Sequence, residues 1–393
     1  MKTVMVLGSF SGNNAGDAAI LMSVIRDISE ISPETQFLVP TLRPSFITKN
    51  FSPSVLPIDI KPWKLSLKLL GLPVLFHIKK ADTILITDAI CFDVHLWNPL
   101  DNNLFALVII SWVAKLLKKP IVFFNNGVGP LNTNLGKKIM RYVGSNADLI
   151  ILRDEDSKKL LHRIGVRTDI IVKADSALNL QPSSDETIKK VLKENNIPQN
   201  KKFIGINVTT YADTWLKKGE SSIGKKRYQE IIANVSDALI KKFNIFILFI
   251  PTHPMDCPFT RAIYNLMKEK NHAYMISKHY TPDKICGLLK LCEFIVGTRF
   301  HSTVLSSAMH TPFISILYTP KNRSLMKQLG IEEYGIEFKD LSEKRLFSLS
   351  ENLWKNRKSV KNQLSIVVDK EKKKAKDTAL IFYEKYYHKM TRR

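Results

Sequence analysis

The sequence predicts an α/β protein built from two doubly wound, Rossmann-like domains facing a cleft, GT-B-like, with a basic helical tail. Three observations carry that prediction. Short apolar runs recur along the chain, each followed by a polar turn and an amphipathic stretch of helical length, as parallel βαβ units require. The pattern pauses around Pro182, Ser183 and Ser184 and restarts at Lys202. With 393 residues, 45% of them hydrophobic and 24% charged, the chain can bury two cores. The expected division is an N-terminal domain over 1–180, a linker over 181–200, a C-terminal domain over 201–340 and a tail over 341–393 that could fold back on the first domain.

The first strand is Thr3 to Leu7, and Gly8 to Asp17 follows as a loop with three glycines and two asparagines, a backbone flexible enough to cradle an anion. Ala18 to Ile25 then reads as helix. Further strands are expected at Phe37–Pro40, within Ala81–Asp88, and at Pro120–Phe124, Asp148–Arg153 and Ile170–Val172. Their strand-end turns contribute Asp17, Gly129, Arg153 and Asp175, which should converge on one edge of the sheet. In the second half, strands are expected at Lys202–Val208, Phe243–Ile250, Phe294–Gly297 and Phe313–Leu317. Thr209 to Lys226 is a polar loop with Trp215, and Pro251 to Asp256 is a polar strand-end turn.

The most informative turn is Gly297-Thr298-Arg299-Phe300-His301. It carries the chain from a strand's carboxyl end to a helix amino end, where free backbone N–H groups attract anions. Arg299 adds a planar fork for a carboxylate or phosphate, and His301 a proton donor that works near neutral pH. His253, His279 and His310 have no evident partner in the sequence and read as structural.

Composition narrows the function classes. The stretch from Val4 to Gly8 is too short for a signal peptide, and the longest apolar run, Leu104 to Ala114, is too short to span a bilayer and reads as a core helix. Cys91, Cys257, Cys286 and Cys292 show neither metal nor disulfide spacing, so a reducing cytoplasm is expected. The formal charge is +23, and the stretch from Lys344 onward alone carries 15 Lys/Arg against 5 Asp/Glu, a net of +10. No nucleic-acid motif accompanies it, so nucleic acid is not an expected partner. An anionic membrane surface is the better candidate, giving a peripheral location at the inner face of the membrane, with a merely solvated face as the alternative. Lys61 to Phe76 mixes lysine, tryptophan and leucine, which suits either a membrane-interface patch or a helix over the core.

Taken together, these residues resemble the polysaccharide pyruvyl transferase family over roughly Val4 to Gly335. Gly12-Asn13-Asn14-Ala15-Gly16-Asp17 is similar to that family's N-terminal loop, Arg153-Asp154-Glu155-Asp156-Ser157 to its middle segment, and Gly297-Thr298-Arg299-Phe300-His301 with Pro312, Tyr318 and Lys321 to its C-terminal signature. Two departures stand out. Thr87-Asp88-Ala89-Ile90-Cys91 replaces a glycine-rich turn, and Ala18 replaces a common acid.

The resemblance implies transfer of the enolpyruvyl unit of phosphoenolpyruvate to two hydroxyls of a free or lipid-linked saccharide, leaving a pyruvate ketal and phosphate. It implies no metal and no cofactor beyond phosphoenolpyruvate as donor substrate. His301 is then the expected acid and Asp17 the base, or the holder of the sugar hydroxyls. Arg299, Arg153 and Lys321 are the expected cations, and Asn14, Gly16, Gly129, Asp175 and Thr298 complete the substrate-binding set. Two bland readings stand beside these: Arg153 only pairing with Asp175, and Asp17 only capping its helix. A glycosyltransferase using a nucleotide sugar is the competing enzyme. It would want an acid for a ribose, and only Asp283 and Glu293 stand near the key turn. A non-catalytic basic module would leave the three motifs unexplained.

Overall fold

A computed structural model describes residues 2–60, 72–88, 90–98, 102–210 and 223–387. The chain forms two compact units. The first comprises residues 1–12, 20–179 and 371–393, and the second 13–19 and 180–370.

The first unit holds one parallel sheet of β1 (Thr3–Leu7), β2 (Gln36–Thr41), β3 (Val55–Asp59), β4 (Thr83–Ile86), β5 (Ile121–Asn126), β6 (Leu149–Leu152) and β7 (Ile170–Val172), in the order β3-β2-β1-β4-β5-β6-β7. The central strands are wholly buried, because helices such as Leu104–Leu116 and Asn134–Ser145 cover the sheet. The order reverses between β1 and β4, the point where doubly wound sheets open a crevice. Beside it stands Asp88, in the left-handed region at φ 60°. Asp88 thus takes up the conformation that a glycine would supply in the departing Thr87–Cys91 turn. Its carbonyl accepts from Asn126 Nδ2. Ala89 lies outside the described residues.

The second unit repeats the scheme with β8 (Phe203–Asn207), β9 (Phe246–Phe249), β10 (Ala273–Met275), β11 (Cys292–Gly297), β12 (Phe313–Leu317) and β13 (Gly335–Glu337), ordered β10-β9-β8-β11-β12-β13 and parallel throughout. Its reversal lies between β8 and β11. Both units are therefore Rossmann-like, and the fold class is α/β, GT-B-like.

Three strands escaped the sequence reading, and all are edge strands. β3 carries Pro57 and fully buries only Val55 and Ile58, which suits an edge and hides the apolar run. β10 and β13 span three residues each, too few to establish a period.

The expected linker is corrected. Ser184 caps a helix over Asp185–Glu194, whose Ile188, Val191 and Leu192 are buried in the second unit. Ile188 packs on Gly287, where a Cβ would overlap it. Pro182, Ser183 and Ser184 were thus helix-start chemistry rather than linker composition. The tail is also not one segment. A single helix runs Glu343–Phe382, and its residues through Lys370 belong to the second unit. There Trp354 stacks on Phe243 with centroids 4.5 Å apart, and Arg357 binds Glu293 at 2.8 Å. Residues from Glu371 onward belong to the first unit, where Thr378 donates to Asn125 Oδ1 at 2.7 Å and Lys376 pairs with Glu30 at 2.7 Å.

Among the described residues no helix is long and apolar enough to cross a membrane. Residues 61–71, which open the lysine, tryptophan and leucine stretch, lie outside the described residues, as do 211–222 with Trp215.

Candidate active site

The second unit gathers its polar groups where the strand order reverses. β8 ends in Asn207, whose side chain ties three strand ends together. Its Nδ2 donates to Ile250 O at 2.8 Å and to Thr252 Oγ1 at 3.3 Å, beyond β9, and its Oδ1 accepts from Arg299 N at 3.3 Å, beyond β11. Thr298 N donates to Asn207 O at 3.0 Å, and Thr298 Oγ1 lies 2.6 Å from the buried Tyr228 hydroxyl. Apolar strands that stop at one level, cross-linked by one asparagine, give a rigid platform.

Arg299 sits at the start of the helix Phe300–Ala308, with extended backbone (φ −64°, ψ 136°). Its Nε and Nη2 both donate to Asp256, the latter at 2.9 Å. Asp256 is fully buried and also accepts from Thr210 N at 3.3 Å. Burial is the largest single influence and opposes the charge on Arg299, and its hydrogen bonds to Asp256 counter that burial only in part. Together with the Asp256, Tyr318 and Asp17 charges they hold the guanidinium above its ordinary value. Arg299 is thus a permanently charged fork, braced on one side by a carboxylate, with its Nη1 end outside that brace. Burial, above all, and then Arg299 push the His253 imidazole down to about 4, so it is neutral at neutral pH. Its Nδ1 accepts from Met255 N at 3.1 Å. Burial likewise raises Tyr318, which keeps its phenol protonated beside Arg299.

The loop expected to belong to the first sheet joins this group. Residues 13–19 are part of the second unit, and Ala15 N donates to Thr252 O at 2.9 Å. Asn14 is the residue that caps the helix Ala15–Ile31, its Oδ1 accepting from Gly16 N at 2.9 Å. Asn14 Nδ2 then donates to Asp17 Oδ1 at 3.0 Å, so Asp17 is a first-turn acid held by the cap rather than the cap itself. Gly16 lies flat against the His301 imidazole, and any Cβ there would overlap the ring. Replacing Gly16 with alanine is therefore expected to displace His301 and, with His301 in the acid role that the family resemblance implies, to lower kcat by about a hundredfold, the low end for such a group. Turnover within twofold of the parent would contradict this packing role.

The structure therefore brings Asn14, Gly16, Asp17, Thr298, Arg299 and His301 together. Lys321 is on the same unit, in the first turn of the helix Pro320–Leu329 beyond β12. Gly129, Arg153 and Asp175 belong to the first unit, whereas the loop carrying Asp17 belongs to the second and hydrogen-bonds to the turn beyond β9. In the first unit Arg153 Nη1 donates to Asp175 Oδ2 at 2.7 Å, as the bland reading had it. Asp154 caps the helix Glu155–Arg163 by accepting from Ser157 N at 2.7 Å. Gly129 has φ 97° and leaves no room for a Cβ against Leu160.

Sequence reasoning missed Asn207, Thr252, Asp256 and His253. The turn Pro251–Asp256 was visible as a polar strand end, but nothing local paired its aspartate with an arginine 43 positions away. The acids that a ribose-binding site would need are engaged elsewhere, Asp283 accepting from Ser183 Oγ and Glu293 pairing with Arg357.

Comparison with known proteins agrees with this frame. The chain is 22% identical to the amylovoran biosynthesis protein AmsJ of Erwinia amylovora, over 94% of this chain and 96% of that protein. Among solved structures it is similar to the UDP-GlcNAc 2-epimerase of Neisseria meningitidis bound to UDP-GlcNAc, with a TM-score of 0.67 at 13% identity, covering 98% of this chain and 99% of that one. It is also similar to a glycosyltransferase from Rickettsia africae, with a TM-score of 0.58 at 12% identity, covering 98% of each. Likenesses at that identity report the fold alone. The polysaccharide pyruvyl transferase family model matches residues 14–320, which begin at the helix cap beside His301 and end just past Tyr318. The chain belongs to the polysaccharide pyruvyl transferase family.

Proposed function

We propose that this protein transfers the pyruvyl unit of phosphoenolpyruvate to two hydroxyls of a sugar in a cell-surface or extracellular polysaccharide, or in its precursor, forming a cyclic ketal and releasing phosphate. The observation that carries this reading is the pairing of a braced, permanently charged Arg299 with His301 at the second unit's reversal point, in a chain of this family. The relative named for amylovoran biosynthesis supports a polysaccharide acceptor.

The chemistry maps onto the residues as follows. The donor brings a carboxylate and a phosphate. The Nη1 end of Arg299, the amino end of the helix Phe300–Ala308 and Lys321 answer that charge. His301, protonated, gives its proton to the methylene carbon of the donor, which leaves the adjacent carbon cationic. One sugar hydroxyl attacks that carbon and yields its proton to Asp17. The carbon–oxygen bond to phosphate then breaks, with the electron pair leaving on phosphate. The second hydroxyl attacks the renewed cation and loses its proton. The methyl group and the departing phosphate each gain one proton, and the two hydroxyls supply them.

Incubating the protein with phosphoenolpyruvate and a panel of free, nucleotide-linked and lipid-linked saccharides tests the reading. Phosphate should appear only with an acceptor bearing two suitably placed hydroxyls, alongside a product heavier by one pyruvyl group. Release of nucleotide from a nucleotide sugar, with phosphoenolpyruvate untouched, would overturn it.

A further inference from the structure

The helix Leu104–Leu116 in the first unit carries apolar side chains on its outer face as well as its inner one. Its inner face buries Leu104, Leu107, Ile110 and Ala114 against the sheet. Its outer face, at helical spacing, carries Phe105, Ile109, Trp112 and Leu116, where a water-facing helix would carry charge. Trp112 is 55% and Leu116 62% exposed. Around them the apolar surface continues. Trp97, 76% exposed, packs on Phe105 with ring centroids 5.5 Å apart, and Phe76, 78% exposed, lies on the adjoining helix Leu72–Ile78. Isolated apolar side chains at a surface are ordinary, but two tryptophans and a phenylalanine on contiguous elements are not.

Charge borders this surface on one side. Lys79 and Lys80 lead into β4, and Lys118 and Lys119 lead into β5. β4 and β5 pair in parallel, so these two connections lie side by side at the sheet's amino edge. Lys115, Lys118 and Lys119 line a cavity of about 410 Å³ there, with Asn146 and Asp148. The two nearby acids are turned to the backbone, Asp148 accepting from Ile121 N and Asp82 from Thr3 N, each at 2.9 Å. Lys115 donates to Asn146 at 3.0 Å.

We infer that this face docks on an anionic lipid bilayer, with Trp112, Leu116, Trp97 and Phe76 entering the headgroup and acyl boundary and Lys115, Lys118 and Lys119 meeting lipid phosphate. An exposed aromatic and aliphatic face bordered by lysine is the composition of an interfacial anchor, and the positive border selects an anionic surface over a protein groove. The site is distinct from the basic tail, whose Lys374 and Lys376 are paired with Glu371 and Glu30.

Flotation of the full-length protein with phosphatidylcholine vesicles and with vesicles containing about one-third phosphatidylglycerol tests this. The parent should float with the anionic vesicles only, and high salt should weaken it. A Trp112→Glu, Leu116→Glu double variant and a Lys115→Glu, Lys118→Glu, Lys119→Glu triple variant should each bind about tenfold more weakly or less, with unchanged thermal midpoint. Charge reversal at Lys372, Lys373 and Lys374 should leave flotation intact. Absence of flotation, or equal flotation of all variants, would overturn the inference. So would a parent dimer, seen by sedimentation velocity, that the double variant dissolves, since a second copy would then own the face.

Discussion

With His301 as the proposed acid, its replacement by alanine is expected to remove two to four orders of magnitude of phosphoenolpyruvate turnover, since a positioned acid contributes about 10²- to 10⁴-fold. Alanine at Arg299 should be as damaging for a different reason: it deletes the fixed charge that the proposed mechanism sets against the donor's anionic groups. The two variants should separate in their kinetics. His301→Ala removes an interaction needed only as the proton moves, so kcat should fall with KM for phosphoenolpyruvate little changed. Arg299→Ala should also raise KM, since ground-state binding of the anion is lost. Initial rates of phosphate release at varied donor concentration, with acceptor saturating, check both. Near-parental turnover in either would remove that residue from the mechanism.

Asp256 supplies the second large effect. It is buried without exposed surface, and Arg299 spends two of its N–H donors on it. Removing one partner of a buried ion pair leaves the other charge uncompensated, typically at about 3–5 kcal/mol. Asp256→Ala should therefore cost stability of that order, seen as a lower denaturant midpoint. The surviving protein should bind donor poorly, because its guanidinium is no longer aimed. Asp256→Asn keeps the shape and accepts one bond, so it separates the roles: folding largely retained, KM raised. A folded Asp256→Ala protein with parental kinetics would show that Arg299 needs no brace.

Much of the frame was legible in the sequence because buried parallel strands read as uninterrupted apolar runs. β1, β5, β6, β8 and β12 were recognisable on that ground alone. Edge strands were not, since β3 admits a proline and β10 and β13 are shorter than any period. The turn at Arg299 and His301 was legible because strand end, helix start and chemistry coincide in five residues. Its support was not. Asp256 reaches Arg299 from another strand end, and Asn207 links three loops that share no sequence neighbourhood. The assignment of Asp17 to the first sheet followed from chain order, yet Ala15 is hydrogen-bonded to Thr252 in the second unit. Chain order predicts strand succession, but a loop between strand and helix is free to join whichever unit offers its backbone a partner.

In the proposed reaction one donor carbon ends up bonded to two sugar oxygens while its phosphate departs. Phosphoenolpyruvate carrying carbon-13 at its phosphate-bearing carbon, incubated with the protein and an active acceptor, tests this directly by NMR of the purified product. A single labelled ketal carbon is expected, formed in equal amount to the phosphate released. Label found only in free pyruvate, or in an enol ether joined through one oxygen, would contradict it.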